Sequence, residues 1–245
     1  MCSYKAPGVV KTGEGKVDDI NMYTLSRDDV FATNSSRQHP ELFKKGREQC
    51  QKFHISAHGV IEKLLVHLDG HLAFPSGTLT SLLPFNEPSH TTTRLLLARP
   101  KPSSAGSCIT FPGHTDIGII TMIFNVIGGL QVLPFGKEPI ESNWCYVRPE
   151  RGCAIVNIGD SLAAWTGGIL RSGFHRIVTP PGEQVTAIRK SLAYLIRPPH
   201  NGSMKRLKSS VIPPLAEKEQ EETRSVDDWA TWRTAQIMRG EGSLR

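Results

Sequence analysis

Two imidazoles and a carboxylate, carried by His114, Asp116 and His175, are the side chains of this sequence that most suggest metal chemistry. His114 and Asp116 stand two positions apart, so in an extended backbone both side chains point the same way and can reach one point. Three such ligands occupy one face of an octahedron and leave three positions open. This arrangement suits a ferrous iron that must also hold a substrate and O2.

A second polar pair, Arg189 and Ser191, repeats the two-residue spacing downstream of His175. A guanidinium followed two positions later by a hydroxyl is a receptor for a carboxylate. Taken alone, the His-x-Asp pair is a weak signal, because most such pairs form hydrogen bonds in loops and nine histidines make a third ligand easy to find. The second pair strengthens the signal and predicts a small acid that chelates the metal as co-substrate.

Short apolar runs separated by Pro and Gly begin near residue 93 and are typical of an antiparallel sandwich or barrel. Such strands would position the two polar pairs. The predicted strands are Arg94–Ala98, Cys108–Phe111, Gly118–Phe124, Leu130–Pro134, Trp144–Arg148, Ala154–Ile158, His175–Thr179 and Ser191–Ile196.

Apolar residues at spacings of three, four and seven predict one long helix over about 40–70, which the pair His58-Gly59 could interrupt. We read the remaining patterns as a strand near Asn21–Leu25, a short helix through Thr78–Leu83 and a C-terminal helix that Ser225 and Asp228 would cap.

The strings HTD, SxxHR and RxS, embedded in GGLQV, NIGDSL and SLAYLIRP, resemble the iron(II)/2-oxoglutarate dioxygenases. The resemblance is greatest to the branch that includes isopenicillin N synthase and fungal secondary-metabolite oxygenases. It covers about 90–200 strongly and 40–85 in helix pattern only. It implies a mainly β fold with flanking helices, namely a double-stranded β-helix or jelly roll that is N-terminally short relative to the family.

The resemblance also implies roles for the residues. His114, Asp116 and His175 fall on the catalytic positions that bind Fe(II), and Arg189 and Ser191 fall where the family binds the far carboxylate of 2-oxoglutarate. With O2, such a site would oxidise a C–H bond of a small-molecule substrate by hydroxylation, desaturation or ring formation, in secondary metabolism. Two alternatives stay open: an oxidase like isopenicillin N synthase, which uses no 2-oxoglutarate, and a catalytically inactive jelly-roll binding protein.

Two departures from the family pattern stand out. Many relatives carry a tyrosine before a proline on the strand preceding the metal motif, and the expected equivalent here is Arg99-Pro100, where Arg99 could contact an acid or point outward. The N-terminal portion is also shorter. Because an exposed sheet edge invites pairing, we expect either a homodimer or a cover formed by residues 1–38.

We read the chain as one domain: an extended segment over 1–38, helical support over 39–90, the jelly-roll core over 91–200, and a loop with the C-terminal helix over 201–245. The net charge of +6 comes from scattered basic residues, which argues against a nucleic-acid partner. The longest apolar run, Ile117–Phe124, is too short to cross a bilayer. We therefore expect no membrane partner and a cytoplasmic location.

Other candidate residues have ordinary structural interpretations. Five cysteines without a CxxC pair predict reduced thiols, with Cys145 and Cys153 buried in strands. The pairs His54/His58 and His67/His71 have helical spacing without a neighbouring acidic motif, so surface positions are expected. Ser161 in the string GDSL lacks the surroundings of a nucleophile.

Overall fold

A computed structural model describes residues 3–9, 17–33, 37–100 and 108–238 of the chain. Its strands form two antiparallel sheets, ordered β1-β2-β3-β10-β5-β8 and β4-β9-β6-β7. The strands are β1 (Tyr4–Lys5), β2 (Ile20–Ser26), β3 (Thr92–Ala98), β4 (Ile109–His114), β5 (Ile120–Asn125), β6 (Leu130–Val132), β7 (Cys145–Tyr146), β8 (Ile155–Ile158), β9 (His175–Val178) and β10 (Arg189–Ile196). Each predicted strand is present, and the mainly β architecture is confirmed.

The two sheets share an apolar core. Ile20 and Ala98 of the six-stranded sheet pack with Leu130 and Ile177 of the four-stranded sheet, and all four are at most 9% exposed. Because side chains alternate across a strand, the same inward faces can also direct polar residues to the space between the sheets. This alternation is what places a functional site inside the sandwich.

Helices flank the sheets, as predicted. They are α1 (Arg27–Phe31), α2 (Glu41–Lys45), α3 (Arg47–His71), α4 (Thr78–Ser81), α5 (Asp160–Trp165) and α6 (Val226–Met238). The predicted long helix is interrupted at Gly46, whose amide donates to the carbonyl of Leu42, and not at His58-Gly59, which lies inside α3. The cap on α6 is confirmed, since the Asp228 amide donates to Ser225 Oγ at 3.2 Å.

The inner face of α3 lies on the six-stranded sheet, and this changes the environment of two histidines. His54 and His58 are 0% and 3% exposed, so the prediction of surface positions was wrong for this pair. His54 Nε2 lies 2.8 Å from Thr93 Oγ1, a polar partner that a buried imidazole requires. His67 and His71, on the outer face of α3, are exposed as predicted.

The prediction of buried thiols was wrong for both Cys145 and Cys153, which are exposed. Cys145 belongs to β7 at the edge of the four-stranded sheet, and Cys153 lies in the turn before β8. Their apolar sequence neighbours did not reveal this, because an edge position depends on which strands pair. Cys50, Cys145 and Cys153 are free thiols.

Strand β2 pairs with β3 over its whole length, and β1 pairs with β2. This edge of the sheet is therefore covered by residues from the N-terminal segment, the second of the two expected arrangements. The homodimer stays a prediction that light scattering can check. Within the described ranges, no helix combines the length and apolar character needed to cross a membrane.

Candidate metal centre

The three predicted metal ligands come together where β4 and β9 meet. His114 is the register partner of His175, and their ring centroids lie 4.3 Å apart. Asp116 lies two residues after the end of β4, with its Oδ1 at 3.9 Å from His114 Nε2. One ligand atom from each residue lies within 4.8 Å of the other two. The three side chains that the sequence predicted as metal ligands thus converge on one point in the fold.

Hydrogen bonds orient each ligand toward that point. His114 Nδ1 donates to the carbonyl of Pro112, and His175 Nδ1 donates to the carbonyl of Gly173, both at 2.9 Å. These bonds leave the Nε2 lone pairs free for a metal. Asn157 Nδ2 donates to Asp116 Oδ2 at 3.0 Å, which leaves Oδ1 turned to the histidines.

The pKa values of His114 and Asp116 favour the protonation states in which these residues bind a metal. Burial, aided by the neighbouring His175, lowers the pKa of His114 to about 4. Burial acts to raise the pKa of Asp116, but His175 and His114, with Thr121 and Arg94, together lower it to about 2. At neutral pH His114 is therefore neutral and Asp116 anionic, the forms in which these residues bind metals.

Arg189 and Ser191 lie on the inward face of β10 and line the same small cavity as the three ligands, with a volume of about 70 Å³. Arg189 is 3% exposed; its Nε donates to the carbonyl of Gly128 at 2.9 Å and its Nη1 to Ser191 Oγ at 3.0 Å. Its Nη2 is buried and has no hydrogen-bond partner among the described residues. Burial lowers the pKa of Arg189 to about 10, so the side chain remains a cation at neutral pH.

The donor set and the Nη2 atom of Arg189 fit a metal with a chelating acid. An unpaired buried donor costs about 1–3 kcal/mol and more when it is charged, and a carboxylate that enters the cavity would remove that cost. Phe111, Ile123 and Ile177 add apolar walls. The residues present therefore fit Fe(II) together with 2-oxoglutarate.

Sequence reasoning missed Arg94, which lies on the inward face of β3 opposite Ala193 and lines the cavity. Its Nε is buried without a hydrogen-bond partner in the described ranges. Burial lowers its pKa, and the nearby Asp116 opposes that shift. The sequence did contain a sign of this residue's role, because Arg94 is a charged residue within the otherwise uncharged strand TTRLLLA. Arg99, in contrast, is exposed, and Ala98 is the residue opposite Arg189.

A buried ion pair, which sequence reasoning also missed, supports residues 114–119, named the metal loop here after the candidate ligands His114 and Asp116. Arg233 of α6 donates to Asp160 Oδ2 at 2.7 Å, and Thr115, between the two ligands of the loop, donates to the same oxygen at 2.9 Å. The Asp160 amide donates to the carbonyl of Asp116 at 2.7 Å. Ser161 is 2% exposed and donates to the carbonyl of Ile117, so its hydroxyl supports the loop.

Comparison with known proteins agrees with this arrangement. Residues 86–198 match the model of the 2OG-Fe(II) oxygenase superfamily. A 2-oxoglutarate-dependent dioxygenase of Amanita muscaria is 33% identical over 149 residues, which cover 60% of this chain and 69% of that protein. A 2-oxoglutarate-dependent dioxygenase of Aspergillus fumigatus is 29% identical over 244 residues, covering 93% of this chain and 63% of that protein. The chain belongs to the 2OG-Fe(II) oxygenase superfamily, whose requirements are Fe(II), 2-oxoglutarate and O2.

Solved structures confirm the jelly-roll fold. A full-length Neurospora crassa protein, crystallised in complex with alpha-KG, superimposes with a TM-score of 0.75 at 20% identity, over 95% of this chain and 74% of that one. The chain spans 63% and 60% of the length of its curated relatives from Aspergillus fumigatus and a Dothideomycetidae species. The assignment to the isopenicillin N synthase-like branch stays a prediction.

Proposed function

We propose that this chain is an Fe(II)- and 2-oxoglutarate-dependent oxygenase that oxidises a C–H bond of a small organic molecule. In this proposal His114, Asp116 and His175 hold the iron, and Arg189 with Ser191 holds the far carboxylate of 2-oxoglutarate. One observation carries the proposal: the three converging residues line the same cavity as Arg189, whose buried Nη2 has no hydrogen-bond partner among the described residues.

The protein's own residues would bind, orient and shield the reactants. Asp116 contributes the negative charge that offsets the metal, and the two histidines are fixed through their Nδ1 atoms. The apolar walls exclude water, which strengthens electrostatic contacts in the cavity. When bound, iron and 2-oxoglutarate supply the oxidising power, with O2 and the keto acid giving succinate, CO2 and one oxygen atom for the substrate C–H bond.

We place the substrate in secondary metabolism, on the strength of the similarity to fungal 2-oxoglutarate-dependent dioxygenases. Specificity depends on cavity shape and loops, so the fold does not identify the molecule. A panel of amino acids, peptides and polyketide-like acids is a suitable first set.

The decisive experiment measures succinate from 2-oxoglutarate in the presence of Fe(II), O2 and each member of that panel. We expect one succinate for each substrate molecule oxidised. Substrate oxidation without succinate would instead favour the oxidase alternative.

An anaerobic titration with Fe(II) and 2-oxoglutarate addresses the binding-protein alternative. A competent site gives a weak visible metal-to-ligand absorption band, and the Asp116→Ala variant should lose it. Absence of the band in the unmodified chain would support an inactive jelly-roll protein.

A further inference from the structure

A second group of two imidazoles and a carboxylate lies outside the cavity, at the N-terminus of α6. His90 Nε2 is 3.5 Å from Asp227 Oδ1, and His200 Nδ1 is 2.9 Å from Asp227 Oδ2. The two rings meet edge to face with centroids 4.4 Å apart. One ligand atom from each residue lies within 4.8 Å of the other two. Three distant parts of the chain thus present one set of metal donors.

Backbone bonds hold these three parts of the chain together independently of the side chains. The amide of His200 donates to the carbonyl of Pro88 at 3.2 Å, and the amide of Asp227 donates to the carbonyl of His200 at 3.3 Å. An isolated β-bridge joins Ser89 to Pro199. The positions are therefore arranged in advance, and binding an ion would require only small side-chain movements, which reduces the entropic cost of binding.

Exposure and charge at the cluster also suit a metal ion. The side chains of His90, His200 and Asp227 are 55%, 30% and 41% exposed, so water can complete a coordination shell. Burial lowers the pKa of His90, Asp227 opposes that shift, and the neighbouring His200 adds to it. Arg197 and Asp28 add opposing charges nearby. The lowered pKa favours the neutral imidazole, which is the form that binds a metal.

We propose that His90, His200 and Asp227 form a second metal site for a borderline divalent cation, with Zn²⁺ as the representative ion. Imidazole and carboxylate are ligands that zinc accepts, at about 2.0–2.2 Å, and an open site keeps water in the fourth position. An ion there would tie the first turn of α6 to the segments that precede β3 and follow β10. A contact between His200 and Asp227 alone would not account for His90, whose Nε2 lies 3.5 Å from the same carboxylate.

Zinc stoichiometry on the full chain tests this site separately from the iron centre. After equilibrium dialysis against Zn²⁺ and elemental analysis, the unmodified chain should hold two zinc ions. His200→Ala should hold one, His175→Ala should hold one, and the double variant should hold none. Retention of the second ion by His200→Ala would overturn the proposal, as would an unmodified chain with one ion that His175→Ala removes.

Two further variants separate this site from binding at the helix surface and from misfolding. His67→Ala removes an exposed histidine of α3 and should leave both zinc ions bound, so loss of an ion there would assign the second site to the helix surface. Asp227→Asn removes the carboxylate charge with little change of shape and serves if His200→Ala does not fold.

Thermal unfolding provides a second measurement. In the His175→Ala background, added Zn²⁺ should raise Tm, because an ion bound only to the folded chain stabilises it. The additional His200→Ala substitution should abolish the increase. An equal increase in both backgrounds would contradict a site at the N-terminus of α6.

Discussion

The co-substrate assignment depends on the Nη2 atom of Arg189, which has no hydrogen-bond partner within the described part of the chain. Arg189 is held by Gly128 and Ser191 on its other nitrogens, so the guanidinium is positioned before any acid arrives. A charged hydrogen bond of this kind contributes about 1.5–3 kcal/mol. The corresponding change in affinity is about tenfold to a hundredfold.

The Arg189→Ala variant should therefore weaken 2-oxoglutarate binding by about tenfold to a hundredfold while iron binding persists. An anaerobic titration that follows the visible band measures both quantities. Lys190→Ala is the matched control, because the neighbouring side chain is exposed on the other face of β10. An unchanged requirement for 2-oxoglutarate in Arg189→Ala would show that another group holds the acid.

Arg94 shows what a spacing argument does not detect. Its neighbours in β3 are Thr and Leu, and alternation along the strand directs Arg94 and Leu96 into the cavity while Leu95 is exposed. The sequence predicts that strand, but the face that turns inward depends on its pairing with β10. For the same reason the sequence left open whether Arg99 contacts the acid or points outward, and the structure places it on the outside.

The contact between α6 and the metal loop joins parts of the chain that are far apart in sequence. Arg233 and Asp160 have side chains that are 2% and 0% exposed, and Asp160 also accepts a bond from Thr115. Removing one partner from a buried pair leaves the other charge unpaired and costs about 3–5 kcal/mol. Helix α6 thus contributes to the position of the loop that carries His114 and Asp116.

We expect Arg233→Ala to lower the free energy of unfolding by about 3–5 kcal/mol and to weaken iron binding. Urea unfolding and an Fe(II) titration measure the two effects. Arg224→Ala is the control, since Arg224 forms a more exposed pair with Glu222, and such pairs contribute about 0–1 kcal/mol. Equal effects of the two substitutions would refute a special role for Arg233.

Gly159 permits the close approach of α5 to the metal loop. A Cβ at this position would collide with the carbonyl of Gly118 and lie 2.9 Å from the carbonyl of Asp116. Gly59, within α3, has open space around the equivalent atom. The two glycines therefore have different roles, although neither has a positive φ.

Gly159→Ala should reduce stability by about 1–3 kcal/mol, as overpacking does, and should impair iron binding by displacing the Asp116 backbone. Gly59→Ala should leave iron binding intact and stabilise the chain by up to about 1 kcal/mol, because Ala is the better helix former. Denaturant unfolding of both variants measures the difference. Full iron affinity in Gly159→Ala would contradict the proposed packing constraint.

Stability of the whole molecule should depend on pH through His54. Burial, followed by Arg27 and His58, lowers the pKa of His54 to about 4 from an ordinary value of 6.5. Between pH 6.5 and 4 the unfolded chain therefore binds more protons at His54 than the folded chain does. The contribution of neutral His54 to the free energy of unfolding is fully present above about pH 6.5 and is lost as the pH falls toward 4. The shift corresponds to about 3 kcal/mol.

Replacing His54 by Gln should flatten this dependence, because an amide can bond to Thr93 and does not titrate. The variant should be less sensitive to acid between pH 6.5 and 4, whatever its stability at neutral pH. Denaturant unfolding across that range measures the effect, with His67→Gln as an exposed control. A parallel pH profile for the unmodified chain and His54→Gln would rule out this origin of acid sensitivity.

Much of the fold was open to prediction because it depends on short-range periodicity. Alternating apolar runs predicted the strands, and the pairs His114/Asp116 and Arg189/Ser191 predicted two groups that each face one way. Such information lies within a few residues, where backbone geometry is constant. Family resemblance then supplied the topology that joins the two groups.

Contacts between distant segments could not be read in this way, because they depend on strand order, register and helix docking. Two examples are the pair Asp160–Arg233 and the cluster of His90, His200 and Asp227. In each, the local sequence around one residue gives no indication of its partner. Local spacing is thus sufficient to direct His114 with Asp116, and Arg189 with Ser191, to one face each. Their convergence with His175, the contacts that support them and the cluster of His90, His200 and Asp227 exist only because packing brings remote polar groups together in a small space.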